Sequence, residues 1–290
     1  MIDKLSMFMV LAREAHFGRA AEALGITQPT LSSAIKSLED QLGVQLVRRG
    51  SRYQGLTPEG ERVLVWARRI VGDARTMQAE MQASRKGVTG LLRLGVIPTA
   101  MPRVAELTGP FLRRHPNARV SILSRSSDEI RDQIEALELD AGVTYLDSEP
   151  LGRVHSQPLY RETYCLIARG EMPGPVGWSD AAALPLCLLT PDMQNRRIVT
   201  RHLLDAGSEA MPRVESTSML AILSHVVTGD WAAILPRSVA RALPLPQGVA
   251  AHDLAGEGHL VGLVTGRSEP HPPLVEALLK TVELIEEFNQ

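Results

Sequence analysis

The chain is poor in cysteine, in aromatic residues and in long apolar runs. Its 290 residues include two cysteines, Cys165 and Cys187, which lie far apart in the sequence. Such usage is typical of a reducing compartment and argues against a disulfide framework. No apolar stretch approaches the length of a membrane span, and the first residues do not form a signal peptide. We therefore expect a cytoplasmic protein without a membrane partner.

Sequence motifs of common catalytic and metal sites are also absent. The eight histidines show no metal-ligand spacing, and there is no glycine-rich phosphate loop and no nucleophile elbow. We therefore predict a protein that is not an enzyme and that needs no metal or cofactor.

The net charge of −2 hides an uneven distribution along the chain. Residues 1–90 contain 13 Lys and Arg against 9 Asp and Glu, whereas the remaining residues contain 18 against 24. The length and the hydrophobic content of 44% predict a globular protein of two domains. A basic N-terminal part followed by an acidic C-terminal part favours a nucleic-acid-binding module joined to a domain that does not contact nucleic acid.

Residues 16–42 predict two helices joined by a tight turn. The first helix is rich in alanine and ends at Gly25, where glycine readily adopts a left-handed C-cap. Thr27 can cap the second helix, with Pro29 in its first turn. The apolar face of the second helix recurs at helical spacing at Leu31, Ile35, Leu38 and Leu42.

The opposite face of the second helix carries short polar side chains and one cation. These are Gln28, Thr30, Ser32, Ser33 and Lys36. They can approach base edges and phosphates without like-charge repulsion, as in a helix-turn-helix. The alternative is an ordinary amphipathic hairpin, but a surface helix usually carries more Glu and Lys. The pattern therefore favours binding to DNA.

Residues 44–57 predict a two-stranded wing with Gly50 and Ser51 in its turn. Three arginines, Arg48, Arg49 and Arg52, crowd its tip. A solvated charged loop is the alternative. Beside a helix-turn-helix, we expect phosphate contacts and insertion of Arg52 into a minor groove.

A long helix is predicted from Pro58 to about Arg85, with Thr57 as its N-cap. Small and apolar residues recur at heptad spacing at Val63, Ala67, Ile70, Ala74, Met77 and Met81. One helix cannot bury such a seam alone, so we predict dimerisation with a second copy. Packing on its own domain is the alternative, and it would use a wider stripe.

From residue 91 short apolar strands alternate with helices, which predicts an α/β fold with parallel sheets. We place a winged helix-turn-helix at 1–57, a linker and dimerisation helix at 58–88, and a regulatory domain at 91–290. The regulatory domain is expected to divide into two subdomains, 91–162 with 268–290 and 163–267.

Ligands of open α/β sheets bind beyond the carboxyl ends of strands, where helix N-termini converge. Hydroxyl and backbone N–H groups at such ends suit a small anion. Sixteen residues occupy them: Pro98, Thr99, Ala100, Met101, Arg125, Ser126, Ser127, Thr144, Tyr145, Thr190, Met193, Gln194, Asn195, Ser216, Thr217 and Ser218. Each hydroxyl alone is more simply an N-cap, but their convergence favours a site.

The low aromatic content narrows the ligand predicted for this site. A large aromatic ligand would need more stacking surface, so we predict a small aliphatic or inorganic anion, in particular a carboxylate. Arg125, Arg196 and Arg197 are candidate counter-ions, with surface charges as the alternative.

The chain resembles the LysR-type transcriptional regulators. The N-terminal residues that carry the resemblance are Phe17, Arg19-Ala20-Ala21, Leu24, Thr27-Gln28-Pro29, Leu31-Ser32, Ile35, Leu38-Glu39, Leu42-Gly43, Leu46, Arg49 and Leu56-Thr57-Pro58-Glu59-Gly60. Farther along, Gly229-Asp230-Trp231 and Ile234-Leu235-Pro236 agree as well. Val47 and Glu59 depart from the family, which often has Phe and Ala there.

The resemblance implies a winged helix-turn-helix, a coiled-coil linker and an effector domain like a periplasmic binding protein. It also implies a homodimer or homotetramer on paired half-sites of double-stranded DNA, with RNA polymerase as a further candidate partner. By resemblance, Arg52 reaches the minor groove and Arg19 is a further candidate DNA contact. The residues that would face the major groove are Gln28, Pro29, Thr30, Ser32, Ser33 and Lys36.

The effector would bind between the two halves of the sensor and shift the population of dimer arrangements. Residues 188–197 resemble a group of these regulators associated with formate dehydrogenase operons, which connects the effector to formate metabolism. One alternative is a thiol redox sensor that uses Cys165 and Cys187, although both stand in apolar strands and look buried. A solute-binding protein and an enzyme are the remaining alternatives.

Overall fold

A computed structural model gives the fold of two compact units. The first unit comprises residues 1–87, 135–137 and 268–273, and the second comprises residues 88–134, 138–267 and 274–290. The structure describes residues 1–48, 53–148, 150–152, 154–170, 172, 174–209, 211–242, 244–267 and 269–288. The predicted α/β fold class, with helices first, is confirmed.

The first unit begins with three short helices, α1 (Ile2–Glu14), α2 (Phe17–Ala23) and α3 (Gln28–Leu42). Thr27 caps α3, because its hydroxyl accepts a hydrogen bond from the Thr30 N–H at 3.4 Å. His16 caps α2, because its Nδ1 accepts hydrogen bonds from the N–H groups of Gly18 and Arg19. The helices enclose a core that includes Leu5, Phe8, Leu11, Leu31, Ile35 and Leu38.

The segment after α3 is fixed by a buried carboxylate. Glu39 is 7% exposed, and its Oε1 accepts hydrogen bonds from the N–H groups of Leu46 at 2.8 Å and Val47 at 3.2 Å. Val47 then pairs with Leu56 in an antiparallel bridge. This bridge is the described part of the predicted wing, and Arg49 and Arg52 lie outside the described residues.

Helix α4 runs from Pro58 to Lys86, and the Thr57 hydroxyl accepts a hydrogen bond from the Gly60 N–H at 2.9 Å. The predicted seam is wrong at Ala67, which is fully buried in the core of its own unit. The reason is that the first turns of α4 pack against α1. The large apolar side chains that α4 leaves exposed are Val65, Trp66, Ile70, Met77 and Met81.

The rest of the chain forms two sheets and the helices around them. The strands are β1 (Gly90–Val96), β2 (Ala118–Ser124), β3 (Ala141–Tyr145), β4 (Val154–Glu162), β5 (Tyr164–Arg169), β6 (Leu186–Leu189), β7 (Val214–Ser216), β8 (Ala232–Pro236), β9 (Val249–Asp253) and β10 (His259–Gly266). The helices are a 3₁₀ helix (Pro98–Arg103), α5 (Val104–Arg114), α6 (Ser127–Glu135), α7 (Trp178–Ala182), α8 (Gln194–Asp205), α9 (Met219–Thr228), α10 (Arg237–Ala242) and α11 (Pro273–Phe288).

The first sheet has the order β2-β1-β3-β10-β4 and the second has the order β7-β6-β8-β5-β9. The prediction of parallel sheets is wrong in part. β10 runs antiparallel to β3 and β4, and β5 runs antiparallel to β8 and β9. Strands β5 and β10 each follow a crossover from one sheet to the other, and each runs opposite to both of its neighbours in the new sheet.

The predicted boundary of the second subdomain at residue 267 is also wrong, because β10 belongs to the first sheet. The chain returns through residues 254–258 instead. Gly258 has a φ of +74°, and a Cβ there would lie 2.7 Å from the carbonyl oxygen of Glu162. The return therefore lies directly against the outward crossover at Glu162 and Thr163, and only glycine fits this close approach.

Candidate functional site

The six residues predicted to face the major groove all lie exposed on α3, and they are Gln28, Pro29, Thr30, Ser32, Ser33 and Lys36. The Thr30 hydroxyl lies 2.8 Å from the hydroxyl of the cap residue Thr27. Ser33 and Lys36 form no hydrogen bond or ion pair with any residue that the structure describes. Their polar groups are therefore available to an external partner.

The arginines predicted to contact DNA differ in their surroundings. Arg19 is exposed, and its guanidinium donates to the Glu14 carbonyl at 2.5 Å. Arg48 is exposed beside the Val47–Leu56 bridge. Arg19 therefore lies close to the start of α2, and Arg48 lies at the base of the wing.

A cavity of about 580 Å³ lies in the second unit at the ends of β2 and β7 and beside the 3₁₀ helix. It brings together six of the sixteen predicted effector residues, Pro98, Met101, Arg125, Met193, Thr217 and Ser218. We name this cavity the effector cleft. Residues that the sequence reasoning missed also line it, namely Ser124, Glu129, Asp192, Met219 and Leu220.

The lining of the effector cleft is apolar in part and nearly balanced in charge. Met101, Met193 and Met219 supply flexible apolar surface. The charged lining groups are Arg125, Glu129 and Asp192, of which Glu129 already accepts a hydrogen bond from the Ser126 N–H at 2.8 Å. A ligand with several negative charges would meet little net attraction here, whereas a single charge on an apolar body fits the lining.

Three further predicted residues, Ser127, Thr144 and Gln194, line a smaller cavity of about 20 Å³. The Thr144 hydroxyl donates to Ser127 Oγ at 2.9 Å. Gln194 is 3% exposed, and its Nε2 has no hydrogen-bond partner among the described residues. The hydroxyl of Thr190, just before α8, is likewise buried without a described partner. Two hydrogen-bond donors therefore stand unused at the start of α8.

A buried polar cluster contains the predicted residues Thr99, Tyr145 and Asn195. The Tyr145 hydroxyl donates to Glu162, and it lies 3.2 Å from Thr99 Oγ1 and 3.4 Å from Asn195 Nδ2. The Tyr164 hydroxyl lies 3.4 Å from the same Glu162 oxygen. The cluster joins β3, β4 and β5, and thus spans both sheets at a crossover.

The sequence reasoning missed Glu162 and Tyr164 as members of this cluster. Glu162 stands in Arg161-Glu162-Thr163, which looks like a solvated turn, so no local signal marks its burial. Burial raises the pKa of the Glu162 carboxyl to about 7, against the lowering effect of the hydrogen bonds from Tyr145 and Tyr164. Burial also raises the pKa of the Tyr145 hydroxyl well above its ordinary value.

Three other predicted residues have local structural roles. Ala100 is buried in the core, and Ser126 caps α6 by accepting a hydrogen bond from the Glu129 N–H at 3.3 Å. Ser216 Oγ accepts from the Ser218 N–H at 3.1 Å in the turn before α9. These contacts use the side chains within the chain, so we do not assign them to a ligand.

The candidate counter-ions also separate into two groups. Arg196 donates to the Leu189 carbonyl at 2.9 Å and pairs with Glu215 at 2.5 Å. Arg197 donates to the Asp192 carbonyl at 2.9 Å. Both therefore hold the loop before α8, and Arg125 is the candidate counter-ion that lines the effector cleft.

The two cysteine side chains are fully buried. Burial raises the pKa of the Cys165 thiol to about 11 and raises that of Cys187 as well, so both are protonated near neutral pH. Cys165 is in β5 and Cys187 is in β6, with β8 between them. Two strand spacings are about 10 Å, beyond the roughly 7 Å between Cα atoms that a disulfide spans.

Within the described ranges, no group of three or more His, Cys, Asp or Glu side chains is arranged to hold a metal ion. No helix in the same part of the chain is both long and apolar enough to cross a membrane.

Family models match both units. A model described as "LysR substrate binding domain" matches residues 85–284, and one described as "Bacterial regulatory helix-turn-helix protein, lysR family" matches residues 2–61. The two matches together extend over nearly the whole chain.

Individual proteins agree with the family models. The chain is 37% identical over 168 residues to the HTH-type transcriptional regulator XapR of Escherichia coli, a match that covers 58% of this chain and 57% of XapR. It is 31% identical over 235 residues to a probable hydrogen peroxide-inducible genes activator of Streptomyces viridosporus, covering 79% of this chain and 74% of that protein.

A solved structure of similar fold is a full-length OxyR variant from Pseudomonas aeruginosa. It is 27% identical, with a TM-score of 0.76, and the match covers 98% of this chain and 95% of that one. The two sequence relatives are named for control of genes rather than for catalysis. The chain therefore belongs to the LysR family of DNA-binding transcriptional regulators, and it carries a helix-turn-helix unit and an effector-binding domain.

Proposed function

We propose that this regulator binds a small aliphatic monocarboxylate at the effector cleft and that binding changes its affinity for promoter DNA. The observation that carries the proposal is a pair of unused donors, Gln194 Nε2 and Thr190 Oγ1, which flank the cleft-lining residues Asp192 and Met193 along the chain. Gln194 itself lines the smaller cavity, and the ligand carboxylate is proposed to reach it from the effector cleft. A buried donor without a partner costs free energy, which a ligand oxygen recovers. Carboxylate oxygens are strong acceptors for such groups.

The lining supports the rest of the ligand description. Arg125 provides one cation, while Glu129 and Asp192 disfavour a second negative charge on the ligand. The methionines of the effector cleft favour an apolar body, and its volume of about 580 Å³ is within the range of ordinary small-molecule sites. We therefore favour a short-chain fatty acid over formate itself.

The DNA-binding form is proposed to be a dimer or tetramer on paired half-sites. Trp66, Ile70, Met77 and Met81 leave apolar surface exposed on α4, and a second copy of this helix can cover it. Val63 and Ala74 of the predicted seam are half-buried. Ala67 is buried within its own unit, so the exposed apolar surface includes its neighbour Trp66 instead. Closure of the effector domain would then alter how the dimers pack and how the DNA-binding heads are spaced.

Thermal unfolding of the full chain with formate, acetate, butyrate or succinate at constant ionic strength tests the ligand. We expect the unfolding temperature to rise with butyrate concentration, because a ligand that binds the folded state stabilises it by mass action. Formate and succinate are expected to give smaller shifts. Gln194→Ala should weaken butyrate binding about tenfold, the effect of roughly one hydrogen bond to a charged group.

Gln247→Ala is the matched control, since Gln247 is exposed in the turn before β9. It should keep the wild-type response to butyrate. No shift with any monocarboxylate, or an unchanged response in Gln194→Ala, would rule out the proposed site.

Thiol-based sensing is the second candidate, because a relative is named for induction by hydrogen peroxide. The burial, raised pKa values and separation of Cys165 and Cys187 argue against it in this chain. We expect the Cys165→Ala/Cys187→Ala variant to retain its DNA binding and butyrate response after peroxide treatment. Loss of a peroxide response that the wild type possesses would instead establish thiol sensing.

A further inference from the structure

A second cavity, of about 400 Å³, lies at the crossover between the two sheets. The 3₁₀ helix, α5, the end of β4 and α10 surround it. The lining residues that bear on its chemistry are Arg103, Glu106, Tyr160, Glu162, Ser238 and Arg241. It shares no lining residue with the effector cleft. We name it the crossover pocket.

Four buried polar atoms of residues that line the crossover pocket have no hydrogen-bond partner among the described residues. They are Glu162 Oε2, Tyr160 Oη, Ser238 Oγ and Arg237 Nε, of which the last forms an ion pair with Asp253 at 3.2 Å. Glu162 is 2% exposed, and its other carboxylate oxygen accepts from Tyr145. Leaving one oxygen of a buried carboxylate unbonded is unfavourable, so a hydrogen-bond donor on a bound molecule would stabilise the ionised form of Glu162.

The charges around the crossover pocket favour an anionic ligand. Four arginines, at 103, 161, 237 and 241, line it against the carboxylates of Glu106 and Glu162. Arg103 pairs with Glu106 at 2.6 Å and stacks 3.8 Å from the centre of the Tyr160 ring, which fixes it at the rim. Arg241 has no ion-pair partner within the described part of the chain, so its charge is available.

We propose that the crossover pocket is a second effector site, which binds a small carboxylate that also carries a hydroxyl or ammonium group. The ligand carboxylate pairs with Arg241 and accepts from the hydroxyls of Tyr160 and Ser238. Its hydroxyl or ammonium group donates to Glu162 Oε2. Hydroxy acids and amino acids combine these two groups, whereas a simple dicarboxylate has no donor for Glu162.

Glu162 also connects the crossover pocket to the effector cleft. Tyr145 donates to Glu162, and its oxygen lies next to Thr99 in the 3₁₀ helix and Asn195 in α8. The 3₁₀ helix also supplies Met101 to the effector cleft, and α8 begins directly after the cleft-lining residue Met193. A ligand on Glu162 therefore acts on the crossover that both sheets share, and the coupling is reciprocal by thermodynamic linkage.

Calorimetric titration of the full chain with L-malate, L-aspartate and succinate tests the second site. Malate and aspartate carry the donor that succinate lacks, so at least one of them should bind about tenfold more tightly than succinate. Arg241→Gln should weaken that ligand by about tenfold or more. Arg241 is exposed on α10, so this substitution should not disturb folding.

The Gln194→Ala variant separates this proposal from that of the effector cleft. Malate or aspartate binding should persist in Gln194→Ala, and butyrate binding should persist in Arg241→Gln. Glu162→Gln should reduce the preference for malate or aspartate over succinate to near unity. The amide oxygen would remain with the Tyr145 hydroxyl, and the NH2 group in place of Oε2 cannot accept a hydrogen bond from the ligand. Equal binding of all three acids, no binding at all, or loss in Gln194→Ala but not in Arg241→Gln would overturn the second site.

Discussion

The double substitution Ser33→Ala/Lys36→Ala is expected to weaken binding to upstream DNA by at least about 30-fold. Both side chains are exposed on α3 without a described partner, so they are free for base and phosphate contacts. Each lost contact is worth about 1–3 kcal/mol, and two contacts give about 2–6 kcal/mol. Fluorescence anisotropy with a labelled duplex at fixed salt measures the change directly.

The two substitutions should have different signatures. Removing the Lys36 charge should lower the salt dependence of binding, whereas Ser33→Ala should reduce the preference for upstream DNA over unrelated DNA. Asp40→Ala/Gln41→Ala, at the far end of the same helix, is the matched control and should retain tight binding. Equal affinity of wild type and Ser33→Ala/Lys36→Ala would mean that α3 does not read the DNA.

Gly60→Ala is expected to destabilise the first unit by about 3 kcal/mol or more. A Cβ at this position would lie 2.1 Å from the backbone carbonyl oxygen of Leu46 and 3.2 Å from Leu56 Cβ. Backbone atoms cannot move aside as a flexible side chain can. The substitution therefore separates the start of α4 from the base of the wing, and chemical denaturation followed by far-UV circular dichroism should report the loss.

Gly72→Ala in the same helix is the matched control for Gly60→Ala. The nearest atoms to its added Cβ are side-chain methyl groups of Leu137 at 3.6 Å, which is ordinary van der Waals contact. Since alanine is favoured over glycine in a helix interior by about 1 kcal/mol, we expect Gly72→Ala to stabilise the unit. Equal effects of the two substitutions would contradict the close packing at Gly60.

The helical N-terminal unit could be predicted from the sequence because its determinants are local. Thr27 and Thr57 cap helices at the positions that their spacing indicated. The exposed polar face of α3 followed from the period of Leu31, Ile35 and Leu38. The burial of Ala67 could not be predicted, because a heptad pattern does not reveal which part of a seam packs inside its own chain.

The α/β part was predictable in its elements but not in its pairing. Strand β10 has the apolar pattern of any buried strand, and nothing in that pattern assigns it to the first sheet rather than the second. The predicted effector residues fell into separate environments for a related reason. Strand ends indicate where a ligand can bind, but contacts between distant residues decide that Met193 lines a cavity while Ala100 enters the core.

Glu162 illustrates the limit of sequence reasoning most clearly. Its neighbours Arg161 and Thr163 are exposed, so the local sequence predicts a solvated position. Only the meeting of β3, β4 and β5 at the crossover buries its carboxyl beside two tyrosines. The crossover pocket includes Glu162 of this cluster, which no sequence period could identify.

The most direct test is a titration of upstream DNA with the full chain, with and without saturating butyrate, at constant ionic strength. Ligand in the effector cleft should change the DNA affinity or half-site occupancy of the wild type by about fivefold or more, the usual range for allosteric coupling. The Gln194→Ala variant should bind DNA as the wild type does without butyrate and should not respond to it at the same concentration. If the wild type binds the DNA tightly and its DNA affinity is the same without ligand, with butyrate and with every other monocarboxylate tested, control by this cleft is contradicted.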